Sequence, residues 1–267
     1  MLHRPAGQLC RARRQVETRA MIPGAVGERS SLSSTHAIDD SSLTTPLYTV
    51  TEAARYLAVP RSRLGTWVDG YVRGHPGHEV HGSPVITALP RDRPGYPRLP
   101  FVGLAEGYVL NAFRQAGVPL QRIRPSLKWL SEHVGPHALA SKDLYTDGAE
   151  VLWDFAQQAA KPDVDAVKLL IVPRSGQYVF RPIVERYLRQ ISFGDDRYAS
   201  LIRLPQYKHS EVVVDPRRGF GHPIFARSGV RVQDVLGPIR AGEQLEVVAK
   251  DYGVPVGHLR DAYAIGA

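Results

Sequence analysis

Cysteine is almost missing from this chain: Cys10 is the single thiol in 267 residues. No internal disulfide can form, and a reducing compartment suits such a chain best. No run of about 18 apolar residues occurs, so no segment reads as a membrane-spanning helix and no membrane partner is expected. Arg11, Arg13 and Arg14 near the start are not followed by the apolar stretch of a secretory signal. Gln8-Leu9 also lacks the small residues that precede a lipidated cysteine, so the expected location is the cytoplasm. Catalytic signatures are missing as well. There is no serine nucleophile elbow and no suggestive carboxylate pair, and the glycines of 219–221 lack the Lys-Ser/Thr of a phosphate-cradling loop. The chain is therefore expected not to be an enzyme, with no catalytic residues and no cofactor.

What is present is basic. The formal net charge is +8, and it is unevenly placed. Residues 161–210 hold nine basic and five acidic side chains, whereas residues 211–267 hold seven of each. A positive excess favours an anionic partner. Residues 1–45, dominated by Ser, Arg, Gly and Thr, cannot bury enough surface to offset ordering entropy and read as a disordered tail. Met21 lies within it as a second candidate start.

The run from Tyr48 to Val68 reads as two short helices joined by a tight turn. Thr49 or Thr51 can cap the first, and Glu52 three residues after Thr49 completes a capping box. Ala53, Ala54 and Leu57 form one apolar stripe. The turn falls at Ala58-Val59-Pro60, and Pro60 suits the first position of the second helix. Leu64, Trp67 and Val68 then point to packing, leaving Arg61, Ser62, Arg63 and Thr66 on the open face. Arginines and small hydroxyls on a second helix suit base edges and phosphates in a major groove. The plainer alternative is a helical hairpin with solvated arginines.

Downstream, residues 84–89 and 96–101 flank Pro90-Arg91-Asp92-Arg93-Pro94-Gly95 and read as a proline-weakened edge hairpin. With Arg91 and Arg93 at its tip it predicts a wing that lies against phosphates or in a minor groove; otherwise it is a solvated turn. A helix is expected over 102–116 with Gly117 as its stop, and another after Pro119 with the stripe Ile123, Leu127, Leu130, Val134. These complete a winged helix-turn-helix module over 46–148.

Residues 149–210 read as an α/β linking segment, with strands at 166–172 and 177–180, a helix over 182–191 and a strand over 197–204. Arg181, Arg186 and Arg189 are the candidate partner-binding residues, though a charge run is often only a solvated face. Residues 211–267 read as a small C-terminal module. It has a strand at 211–216, a glycine-bent turn at 219–225, and helices over 232–240, 243–252 and after Pro255. Its charge balance of zero argues against a strong phosphate footprint. The fold class is thus mainly α with small β elements. His75, His78 and His81 lie three apart, but Pro76 and Gly77 break any helix that would align them, so no metal site is assigned.

Thr51-Glu52-Ala53-Ala54-Arg55-Tyr56-Leu57 with Leu64 and Trp67 resembles the winged helix-turn-helix opening of MerR-type regulators. The stretch from Ala116 to Arg124 is similar to the lead into a later helix of that family. Asp215-Pro216, Gly221-His222-Pro223-Ile224, Arg231-Val232, Gly242, Val247-Val248-Ala249 and Tyr252-Gly253-Val254 resemble the small helix-turn-helix domain of VapB-type antitoxins. The combination resembles a VapB antitoxin. That resemblance implies a PIN-domain ribonuclease toxin as partner, operator DNA as ligand, and repression of the chain's own operon. A homo-oligomer is expected. The rival readings are a free-standing MerR-like regulator and an adaptor that binds only proteins.

Overall fold

The computed structural model describes residues 40–266 except 76, 160, 175 and 176, so the tail expected over 1–45, with Cys10 and Met21, lies outside them up to residue 39. The described chain begins with α1 (Asp40–Thr44), α2 (Val50–Tyr56) and α3 (Arg61–Asp69). Thr49 forms the capping box: its Oγ1 accepts the Glu52 N–H at 3.1 Å, and Glu52 Oε2 accepts the Thr49 N–H at 2.9 Å. Ala53, Ala54 and Leu57 are buried together with Leu64, Trp67 and Val68. The turn between the helices holds Ala58 at φ +52°. Pro60 is the N-cap of α3 rather than its first helical residue.

Gly70, at φ +73°, ends α3; a Cβ there would lie 2.2 Å from the Gly82 carbonyl oxygen. The close approach lets β1 (Tyr71–Arg73) pair antiparallel with β2 (Val80–Gly82), Val72 opposite His81. This corrects the expected wing. The hairpin after α3 pairs 71–73 with 80–82, while residues 84–100 form a loop. The reason is donor supply. Pro84, Pro90, Pro94, Pro97 and Pro100 have no N–H and cannot sustain a ladder, whereas both strands of 71–82 are free of proline.

The central element is α4 (Phe101–Gln115), buried at every residue from Phe101 to Phe113. A helix apolar all round belongs in a core, so its two buried polar side chains each need a partner. Asn111 Nδ2 donates to the Leu57 carbonyl at 3.1 Å, pinning α4 to the turn between α2 and α3. Glu106 accepts the Thr87 N–H at 2.5 Å and meets His137 Nδ1 at 2.9 Å. Gly107 packs under α2, where an added Cβ would lie 2.9 Å from Leu57 Cδ1.

Next come α5 (Leu120–His133), α6 (Lys142–Gln158), α7 (Lys161–Lys168), the hairpin β3 (Ile171–Arg174) with β4 (Gln177–Phe180), and α8 (Pro182–Leu188). Two sequence expectations change here. The strand placed over 166–172 starts only at Ile171, because Ala166 and Val167 lie in α7 and are buried with Leu170 at helical spacing. Helix α6 was not anticipated, and Gly148, given as the end of the front module, sits in its middle.

A four-stranded antiparallel sheet follows, in the order β5 (Ile191–Phe193), β6 (Ala199–Arg203), β7 (Val212–Val214), β8 (Ile224–Phe225). Three helices close the chain: α9 (Val232–Arg240), α10 (Leu245–Tyr252) and α11 (Val256–Gly266). Gly253 at φ +62° caps α10 and makes the turn into α11. One buried cluster runs from Tyr48 through α4 to Ala262. The architecture is mainly α, with a winged helix-turn-helix at the front and small antiparallel sheets.

Candidate nucleic-acid interface

Burial decides which side of α3 is offered to a ligand. Leu64, Trp67 and Val68 are buried, so Arg61, Ser62 and Arg63 are exposed and Thr66 is half-buried. Arg61 Nε donates to Thr51 Oγ1 at 3.0 Å, tying the start of α3 to the first turn of α2. Thr66 Oγ1 donates to the Arg63 carbonyl at 2.7 Å. The Arg63 guanidinium has no ion-pair partner among the described residues.

A cleft of about 350 Å³ runs beside this face, lined by Ser62, Arg63 and Thr66, by Tyr71 and Arg73 of β1, and by Arg114. Among the described residues, three guanidinium groups and no carboxylate line it. Arg73 lies 4.9 Å from the Tyr71 ring centroid and Arg124 lies 5.4 Å from it, so both cations are braced on one aromatic ring. Guanidinium and hydroxyl groups on an open helix flanked by a hairpin can meet base edges and phosphates. Arg73, Arg114 and Arg124 escaped the sequence reading. They lie on three separate elements, and only Arg73, two residues past Tyr71 in the same strand, carried a local signal.

Arg91 and Arg93 lie elsewhere, around a depression lined also by Pro90, Asp92 and Tyr96, which shares no residue with the cleft on α3. The Arg93 guanidinium sits 5.8 Å from the Tyr96 ring centroid. That loop is held to the end of α3 by the Arg98–Asp69 ion pair at 2.5 Å.

The three candidate partner-binding arginines have different surroundings. Arg181, the N-cap residue of α8, donates twice to the Lys168 carbonyl, at 2.9 and 3.2 Å. Arg189 pairs with Glu185 at 2.5 Å. Arg186 lines a cleft of about 400 Å³ with Tyr56, Ala58, Tyr108, Tyr187 and Gln206. Tyr108 is 2% exposed, and its hydroxyl has no hydrogen-bond partner among the described residues. Burial pushes its phenol well above the ordinary value, Tyr187 adds to that shift, and Arg186 opposes it.

The Glu106, His137 and Thr87 side chains form a linked polar group. Glu106 Oε1 and Thr87 Oγ1 approach the same nitrogen, His137 Nδ1, at 2.9 and 3.0 Å. The imidazole therefore does not stand between acid and hydroxyl, as proton relay to a nucleophile requires. His81 in β2 faces Glu79, just before that strand, at 3.4 Å. Among the described residues no helix is long and apolar enough to cross a membrane.

Comparison with known proteins bears on the same regions. Residues 46–127 match a family described as "Putative DNA-binding HTH domain", and residues 212–264 match one described as a protein of unknown function. The chain is 64% identical over 221 residues to the curated Mycobacterium tuberculosis protein named "Putative antitoxin VapB45", covering 81% of this chain and 92% of that protein. It is 25% identical over 237 residues to the uncharacterized protein Rv2308 of the same organism, covering 83% of this chain and 90% of that one. The crystal structure of Rv2018 from Mycobacterium tuberculosis superposes with a TM-score of 0.75 at 61% identity, covering 83% of this chain and 99% of that one.

Proposed function

Since the chain belongs to the VapB antitoxin family and carries its DNA-binding helix-turn-helix, we propose that it neutralises a PIN-domain ribonuclease toxin and represses its own operon. In this reading it is a cytoplasmic homo-oligomer without catalytic activity. Operator DNA is read by Arg61, Ser62, Arg63 and Thr66, with phosphate contacts from Arg91 and Arg93. The toxin is held through Arg181, Arg186 and Arg189, whose guanidinium groups suit the carboxylates of a Mg²⁺-dependent nuclease site. The observation that carries the DNA half is the open face of α3, where, among the described residues, Arg63 has no ion-pair partner and the cleft beside it is lined by arginines and no carboxylate.

The test co-expresses the chain with the neighbouring reading frame and measures binding to the DNA upstream of the pair. A stable complex, and a loss of about 1–3 kcal/mol in operator affinity for Arg63→Ala, support the reading. DNA binding without toxin capture favours the free-standing regulator, and capture without DNA binding favours the protein adaptor.

A further inference from the structure

The C-terminal segment is neutral as a whole, but its charge is segregated. Residues 216–231 contain Arg217, Arg218, Arg227 and Arg231 and no acidic side chain. The tertiary structure turns this segment at Gly219–Gly221 and leads it into β8, so that Gly221, Pro223, Ile224 and Phe225 are buried while Arg217, Arg218, Phe220 and Arg227 stay exposed. Gly219, Phe220 and Gly221 take φ values of +57°, +55° and +75°, three consecutive left-handed residues of which the middle one is aromatic. Phenylalanine adopts that conformation only under constraint. Phe220 is 78% exposed, with the Arg231 guanidinium 5.9 Å from its ring centroid. Arg217 pairs with Asp215 at 3.4 Å and Arg231 with Asp234 at 2.8 Å. Arg218 and Arg227 are exposed and meet no acidic group among the described residues.

The segment is fastened to the front helix pair. Tyr48 Oη donates to the Gly221 carbonyl at 2.9 Å, and Tyr56 Oη lies 2.9 Å from His222 Nδ1. These tyrosines bracket α2, the first helix of the pair. In helix-turn-helix complexes the second helix enters the major groove while the first crosses the sugar-phosphate backbone. In that docking mode α2 is the element nearest the backbone phosphates, and the 216–231 segment is fixed to it.

We propose that the exposed positions of segment 216–231, on either side of β8, form a second DNA contact. Arg218 and Arg227 clamp backbone phosphates beside the segment read by α3, and Phe220 supplies an apolar edge toward the adjoining minor groove. The inference rests on α3 reading DNA and adds a sequence-independent component carried by the tail module. An acidic protein partner is the competing occupant. The link to α2 favours DNA, because it holds in fixed relation to the reading helix two arginines that meet no acidic group among the described residues, the Arg218 guanidinium donating to the Ala226 carbonyl at 3.4 Å.

The experiment uses the full chain and a fluorescent duplex of random sequence about 30 base pairs long, titrated at several salt concentrations. Each phosphate contact contributes about 0.9 to the slope of log affinity against log salt. The double variant Arg218→Ala/Arg227→Ala is expected to flatten that slope by about 1.8. Arg218→Lys/Arg227→Lys should largely restore it, separating charge from any structural effect. Phe220→Ala should weaken binding while leaving the slope unchanged. A slope unaltered by the double alanine variant overturns the proposal, and if Arg63→Ala still weakens binding the reading of α3 survives that failure. Toxin capture lost in the double variant with an unaltered slope makes the segment a protein-binding face, which also overturns it. A wild-type chain that binds no duplex at low salt overturns both.

Discussion

The hydroxyl of Tyr48 donates a hydrogen bond to the carbonyl of Gly221, 173 residues further along the chain, at 2.9 Å. Tyr48 is completely buried, and burial is the main cause that pushes its phenol well above the ordinary value. The bond joins the start of the DNA-binding helix pair to the glycine-bent turn of the tail. Tyr48→Phe should cost about 1 kcal/mol of stability. Gly221→Ala should cost more, roughly 2 kcal/mol, because the residue sits at φ +75° and a Cβ would lie 2.8 Å from the Tyr48 oxygen. Urea midpoints of the two variants check the order. A Tyr48→Phe midpoint equal to wild type would show that the bond contributes nothing.

Thr49 and Glu52 satisfy each other's backbone donors at the start of α2. Thr49→Ala should cost about 1 kcal/mol, and Thr49→Ser should recover most of it because serine keeps the accepting oxygen. Thermal denaturation of the pair reads the difference.

Glu106 is 5% exposed inside α4 and accepts from the Thr87 N–H. Glu106→Ala orphans that donor and should cost about 2–3 kcal/mol. Glu106→Gln, which keeps an acceptor of the same length, should cost less. Equal losses in denaturant midpoint would show that side-chain volume, not hydrogen bonding, is what Glu106 supplies.

Asp143 is paired with Arg197, which holds its carboxyl below the ordinary value of 3.8 by hydrogen bonding and charge. A carboxyl depressed in the folded state contributes stability that is fully present above its unfolded value and is lost as pH falls through the folded one. The wild-type chain should therefore lose a small increment of stability below about pH 4, and Asp143→Asn should remove that increment. Both partners are partly exposed, so the increment is also expected to shrink at high salt. Melting temperatures from pH 7 down to pH 3 in low and high salt make the check.

Arg181, Arg186 and Arg189 are the toxin-facing residues of the proposed function. The triple alanine variant should fail to inhibit RNA cleavage by the partner toxin while keeping its fold by circular dichroism. Full inhibition by that variant excludes them. Arg186 should matter most, because Arg181 and Arg189 already bond to the Lys168 carbonyl and to Glu185.

The sequence by itself determined what neighbouring residues can settle. The capping box at Thr49, the stops at Gly117 and Gly253, and the apolar stripe of α5 rest on contacts within a few residues, and each places a helix. The same locality made the open face of α3 legible, since Leu64, Trp67 and Val68 can be buried together in only one orientation.

Tertiary structure decided what local pattern leaves degenerate. An apolar run such as 166–172 suits a helix end or a strand equally, and only the burial of Ala166, Val167 and Leu170 on one side gave the first part to α7. Helix α6 was hidden by Gly148, which breaks its stripe in sequence; in the fold the missing side chain admits Leu144 and Phe180, whose atoms lie 2.7 and 3.5 Å from where a Cβ would stand. The wing moved to 71–82 because strand pairing needs backbone donors, which the prolines of 84–100 do not provide. Net charge was the least informative quantity of all. The neutral tail separates Arg218 and Arg227 from its carboxylates, and side-chain hydrogen bonds to residues more than 160 positions away fix that arginine-rich segment beside α2.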